Sequence, residues 1–177
     1  GSKSLRLWYP SGNDFSVQAF TDADHAECKL DRKITLGGCQ FLGGKLVNWS
    51  SRKQSCVSLS TVEAEYVAAA SCCSQAQWMK TQLLDYEFRM LRIPIYCDPE
   101  SAIAVSHNPI QHSKTKHIEL QYHFIKEHIL KGNIELIFVP THEEVVDVFT
   151  KALGSTKLNA FLQMLGMMNP DPQFFLN

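Results

Sequence analysis

Phe20-Thr21-Asp22-Ala23-Asp24 closes an apolar run that begins at Phe15, and it reads as a buried strand ending in acid. Three later stretches also set an acid at the edge of a regular element. They are Ser60-Thr61-Val62-Glu63-Ala64-Glu65-Tyr66, Ile95-Tyr96-Cys97-Asp98 and Val145-Val146-Asp147-Val148-Phe149-Thr150-Lys151. Four acids on four elements, each beside apolar residues, call for one explanation, and a divalent-metal site supplies it. Hard cations such as Mg²⁺ prefer carboxylate oxygens. Two of them, about 3.5–4 Å apart, can clamp the attacking and leaving oxygens of a phosphodiester.

Each acid also has a plainer reading. Asp22 and Asp24 share strand parity, so the sequence alone does not choose between them, and either could cap the loop that follows. Glu63 and Glu65 are two residues apart and point in different directions on a helix. Glu63 has a structural task as the capping-box partner of Ser60. Glu65 lies at the edge of the apolar stripe, where a carboxylate is costly unless something positive meets it. Asp98 precedes Pro99 and fits a helix N-cap. Asp147 has Lys151 four residues on, which predicts an ion pair on an exposed helix face.

Outward from these acids, the chain alternates strands and helices. Residues 3–14 read as a connector ending in a turn. Thr35–Leu42 and Lys45–Ser50 flank Gly43-Gly44 as a hairpin, with Arg52-Lys53-Gln54 a basic turn beyond it. Ser60 opens the longest helix, with Val62, Tyr66, Ala69, Cys73, Ala76, Met79 and Leu83 in phase. A short strand runs from Pro94 to Cys97, and a helix from Asp98 to near Asn108. Residues 110–116 form a basic loop. His117–Leu130 is helical, Ile134–Val139 a strand, and a helix opened by Thr141 and Glu144 extends to about Leu153. A last helix spans roughly Thr156 to Met168. Up to Leu153 the order is β-β-β-α-β-α-α-β-α, before the last helix, and it predicts one mixed-sheet α/β domain.

Composition narrows the function. The 177 residues are 45% hydrophobic and 20% charged, as in an ordinary globular domain, and net charge is −1. Any nucleic-acid contact must therefore come from local patches. No apolar run reaches membrane-spanning length, and no signal peptide is visible. Gly1-Ser2 reads as a cleavage scar. The six cysteines lack metal or disulfide spacing and are expected to be reduced, intracellular thiols. His112, His117, His123 and His128 lack the Cys or acid partners of a zinc pattern.

Taken together and in order, Phe20-Thr21-Asp22-Ala23-Asp24, Leu59 to Ala69, Tyr96-Cys97-Asp98, Thr115 to Glu119, Tyr122 to Ile125 and Val148 to Leu153 resemble the ribonuclease H domain of copia-type LTR retrotransposon Pol polyproteins, in a plant-like spelling. The resemblance covers about residues 6–168. It implies a ribonuclease H-like fold, a five-stranded mixed sheet flanked by helices, here with an extra C-terminal helix. Residues 1–14 are then scar and connector, 15–168 the domain, and 169–177 a tail.

The resemblance implies Asp22, Glu65, Asp98 and Asp147 as catalytic metal ligands, and so favours Asp22 over Asp24 and Glu65 over Glu63. It implies two Mg²⁺ ions, with Mn²⁺ as substitute. The implied reaction is hydrolysis of the RNA strand of an RNA–DNA hybrid during reverse transcription. The implied partners are the hybrid and a linked reverse transcriptase domain, with no membrane. The implied location is intracellular, in a cytoplasmic virus-like particle or in the nucleus. Arg52, Lys53, Lys114 and Lys116 are the expected phosphate contacts. Glu100 stands where the family usually carries a neutral amide against the RNA. His142 lies near the position of a mobile histidine in related cellular enzymes.

Overall fold

The structure, a computed structural model, describes residues 5–12, 15–24, 34–53, 61–98, 116–140 and 145–168. Seven strands are described: β1 (Arg6–Leu7), β2 (Val17–Asp24), β3 (Thr35–Leu42), β4 (Lys45–Lys53), β5 (Ile93–Cys97), β6 (Ile134–Phe138) and β7 (Met167–Met168). The helices are α1 (Thr61–Asp85), α2 (Lys116–Leu130), α3 (Asp147–Thr150) and α4 (Ser155–Met164). The expected helix after Asp98, the basic loop, and both capping boxes lie wholly or partly outside the described residues.

The main sheet has five strands in the order β4-β3-β2-β5-β6, as the α/β reading requires. β2, β3 and β4 form an antiparallel meander, and β5 and β6 add in parallel to β2. Gly43 and Gly44 both take positive φ at the β3–β4 turn, which glycine adopts without strain. The parallel strands β5 and β6 require crossovers, and α2 supplies the one between them.

Strand parity divides the core into two faces. Val17, Ala19, Ile93, Ile95 and Ile134 pack beneath α1 and α2, against Tyr66, Ala69, Cys73, Ala76, Tyr122 and Ile125. The small residues of α1 let its backbone lie close to the strands. On the opposite face Cys39, Phe41 and Leu46 meet Val145, Val146, Phe161 and Leu165. Cys39, Cys72, Cys73 and Cys97 are buried free thiols. Burial pushes Cys72 and Cys73 up to about 12, so they are poor nucleophiles.

The C-terminal half departs from the periodicity. The helix expected to reach Leu153 is the single turn α3. Lys151 leaves it with extended backbone at φ −118, ψ 148. The last helix stops at Met164, and Gly166 takes φ +75. Met167 and Met168 then pair with Leu7 and Arg6. The presumed connector is thereby tied to the domain, and the Tyr9 hydroxyl donates to the Leu46 carbonyl at 2.6 Å.

Candidate active site

Asp22 lies on β2, two residues before its end, in register with Gly37 of β3 and so with Ser51 of β4. Its parity is that of Phe20, which faces the cluster under α3 and α4. A Cβ on Gly37 would lie 2.4 Å from Thr150 Cγ2 and 3.2 Å from Val146 Cγ2. The glycine therefore lets α3 settle directly on the sheet beside Asp22. Glycine inside a strand is a signal of such close approach.

That approach brings two buried carboxylates together. Asp22 is 2% exposed and Asp147 fully buried. The Thr150 hydroxyl donates to Asp22 Oδ2 at 2.5 Å. Lys151 Nζ donates to Asp147 Oδ1 at 2.6 Å and lies 3.3 Å from Asp22 Oδ2, so one ammonium serves both acids. Lys157, from α4, donates to Asp147 Oδ2 at 2.7 Å. The ion pair expected from the Asp147–Lys151 spacing is present. It is not on an exposed face, because its acid end is buried.

The electrostatics follow the distances. Burial raises the Asp22 carboxyl above its ordinary value, outweighing the Thr150 hydrogen bond and the Lys151 charge, and Asp147 adds repulsion. Burial alone would lower Lys151. Its hydrogen bond to Asp147 and the charges of both acids instead raise it above the usual lysine range. Lys151 makes its short contact with Asp147 and its longer one with Asp22. Asp22 is thus the less well compensated of the two acids.

The other two acids approach the same end of the sheet. β5 runs parallel to β2 and ends at Cys97, so Asp98, the next residue, lies at the same end of the sheet as Asp22. Glu65 is buried in the second turn of α1, whereas Glu63 is half-buried. Its neighbour Ala64 packs with Ala68, Ala23 and Ile34, so this turn lies level with Asp22 on the other face. Both Glu65 and Asp98 have polar or electrostatic partners within the protein. Among the described residues no three His, Cys, Asp or Glu side chains stand close enough together to hold an ion. Asp22 and Asp147 are joined through Lys151.

Of the expected phosphate contacts, Arg52 and Lys53 are exposed at the end of β4, one and two residues beyond the row of Asp22. They are part of the strand, not a turn. They stand two strands from Asp22, roughly 10 Å across the sheet. With Leu36, Ser71, Ser74 and Phe124 they line an open recess of about 610 Å³. Glu100, Lys114 and His142 lie outside the described residues, as does the side chain of Lys116. His123 faces Glu119 at 3.9 Å and His128 faces Asn133 at 3.2 Å.

Sequence reasoning did not single out Gly37, Thr150 or Lys157. The Gly37-Gly38 pair inside a strand was a usable signal, and Thr150 lies within the quoted Phe-Thr-Lys stretch. Lys157 is on another helix, ten residues from Asp147, and no local spacing reveals it.

The architecture defines the class first. The N-terminal ribonuclease H domain of a Mycobacterium tuberculosis protein superposes with a TM-score of 0.53 at 13% identity, covering 84% of this chain and 98% of that one. LC11 ribonuclease H1, solved in complex with an RNA/DNA hybrid, superposes with a TM-score of 0.54 at 12% identity, covering 76% and 94%. The domain has a ribonuclease H fold. No protein-family model matches the chain. The retrovirus-related Pol polyprotein from transposon RE1 of Arabidopsis thaliana is 36% identical over 173 residues, 97% of this chain. That from transposon RE2 of the same plant is 34% identical over the same share. The chain is a homologue of these plant retrovirus-related Pol polyproteins, and the segment that matches them carries the ribonuclease H fold. It spans about 12% of the length of either relative.

Proposed function

We propose that this domain is a divalent-cation-dependent endonuclease that hydrolyses the RNA strand of RNA–DNA hybrids during reverse transcription by a retrotransposon polyprotein. The observation that carries the reading is the pair of buried carboxylates, Asp22 and Asp147, from separate elements and sharing a single cationic group. Their donors are hard oxygens, and a positive charge already lies between them, so the residues present fit Mg²⁺ or Mn²⁺. Asp22, Asp98, Glu65 and Asp147 would hold two such ions. Bound there, the ions supply Lewis-acid stabilisation for phosphodiester hydrolysis.

The chain's own residues do the rest. Thr150 fixes the Asp22 carboxylate by its hydrogen bond, and Gly37 sets the depth of α3 and hence of Asp147. Arg52 and Lys53 offer phosphate contacts at the acid end of the sheet. Such contacts release counterions, so hybrid affinity falls as salt rises. Ribose 2′-hydroxyls in the wide minor groove supply the distinction between RNA and DNA.

A second reading, a non-catalytic module that binds nucleic acid or protein, draws on the two lysines that already satisfy both oxygens of Asp147. A labelled RNA–DNA hybrid, incubated with the protein and Mg²⁺ or Mn²⁺ and again with chelator, separates the two. Cleavage of the RNA strand that chelator abolishes supports the nuclease. Binding without cleavage in either metal supports the module.

A further inference from the structure

We propose that Lys151 is a built-in counter-ion that keeps the place of a divalent cation between Asp22 and Asp147, and that an entering cation displaces it while Lys157 stays. This inference rests on the cation-binding reading above. Lys151 Nζ lies 2.6 Å from Asp147 Oδ1 and 3.3 Å from Asp22 Oδ2, so it occupies the gap between the acids. Lys157 holds the other oxygen, Asp147 Oδ2, at 2.7 Å. A cation entering the gap therefore meets Lys151 first.

The two lysines are also held differently. Lys157 lies 5.3 Å from the centroid of the buried Phe161 ring, a second attraction that keeps it in place. Lys151 is one residue past the end of α3, on extended backbone. The side chain of Lys151 is 32% exposed and that of Lys157 44%, so the two differ in their anchoring and not in their access to water. The four-carbon stem of Lys151 can swing to water without moving the helix or either acid.

The charges require the exchange. Two carboxylates and two ammonium groups are neutral as they stand. A divalent ion in the gap with Lys151 still there would crowd two cationic centres between the same two oxygens. With Lys151 swung out, Asp22 and Asp147 face the ion and the ammonium stands at the rim. Cation binding is then opposed by an internal competitor. If the gap is open in about one molecule in ten, apparent affinity is about tenfold below the intrinsic one.

Lysine reactivity in the whole chain tests this. The unsubstituted protein is acylated with an amine-reactive ester, with and without Mg²⁺, and modification at each lysine is read by mass spectrometry. Calorimetry in parallel measures Mg²⁺ binding to it and to Lys151→Met. The proposal expects Mg²⁺ to raise modification at Lys151 several-fold, leave Lys157 unchanged, and bind Lys151→Met about tenfold more tightly. Mg²⁺ binding with Lys151 modification unchanged would overturn the proposal and leave the nuclease reading standing. No Mg²⁺ binding to either protein would overturn both. The labelling needs only the unsubstituted chain, so it decides the matter even if Lys151→Met fails to fold.

Discussion

The two faces of the sheet are built on different physics. Beneath α1 and α2 the contact is aliphatic and aromatic, with Ile93, Ile95 and Ile125 fully buried. Beneath α3 and α4 the apolar cluster is smaller. At its acid end a one-turn helix is held by a glycine's close approach, one hydroxyl and two lysines. A four-residue helix has no stability of its own. Its position comes from the sheet it rests on and from the charges it carries. In the proposed reading the first face carries most of the apolar core and the second carries Asp22 and Asp147, so substitutions should separate stability from activity.

The largest stability loss is expected on the first face. Ile95→Ala should cost about 2–5 kcal/mol, the usual range for emptying a packed core position, as read by urea unfolding. A loss below about 1 kcal/mol would mean that α1 and α2 do not carry the fold.

Gly37→Ala comes next. The added Cβ would stand 2.4 Å from Thr150 Cγ2 and 3.2 Å from Val146 Cγ2, so these side chains or α3 itself must shift. Overpacking of this kind costs about 1–3 kcal/mol. Because α3 carries Asp147 and Thr150, hybrid cleavage should fall further than stability does. Parallel losses of both would erase the proposed division between the faces.

Thr150→Val keeps the shape and removes the donor to Asp22. A buried acceptor left short of its bond costs about 1–3 kcal/mol, and here Lys151 remains as a partner, so the lower end is expected. An unchanged melting temperature together with unchanged cleavage would show that the hydroxyl neither stabilises nor orients Asp22.

The smallest effects concern pH. Asp22 is raised above its ordinary value of 3.8, chiefly by burial, so the fold binds that proton more tightly than the open chain. Its contribution is present below that value and lost as pH rises through the raised one. Asp22→Asn should remove this decline from the acid limb of the stability profile. Lys151 is raised above 10.5, despite burial, by its hydrogen bond to Asp147 and by both carboxylates. Its contribution persists through neutral pH and is lost only as pH rises through the raised value. Lys151→Met should flatten that alkaline limb. Opposite signs in denaturation measured across pH would reverse the electrostatic account.

The same contrast explains what could be read in advance. The first face was legible because a run of strand formers, a Gly-Gly hairpin turn and a long helical stripe are local patterns, and Val17–Asp24, Thr35–Leu42 and Thr61–Asp85 fall on them. Asp22 and Asp147 were legible as acids at the edges of such elements. The second face was not, because its geometry is set by distant partners. The β1–β7 ribbon joins residues about 160 positions apart. α3 ends after one turn, where Lys151 turns back towards Asp22. Lys157 reaches Asp147 from another helix. None of these contacts leaves a period in the sequence.

Cleavage of an end-labelled RNA–DNA hybrid in Mg²⁺ by the unsubstituted chain and by Asp22→Asn, with circular dichroism melts on both, tests the central claim most directly. The account predicts RNA-strand cleavage by the first, none by the second, and cooperative melting of both. Equal cleavage by a folded Asp22→Asn protein, with the same Mg²⁺ dependence, would contradict it.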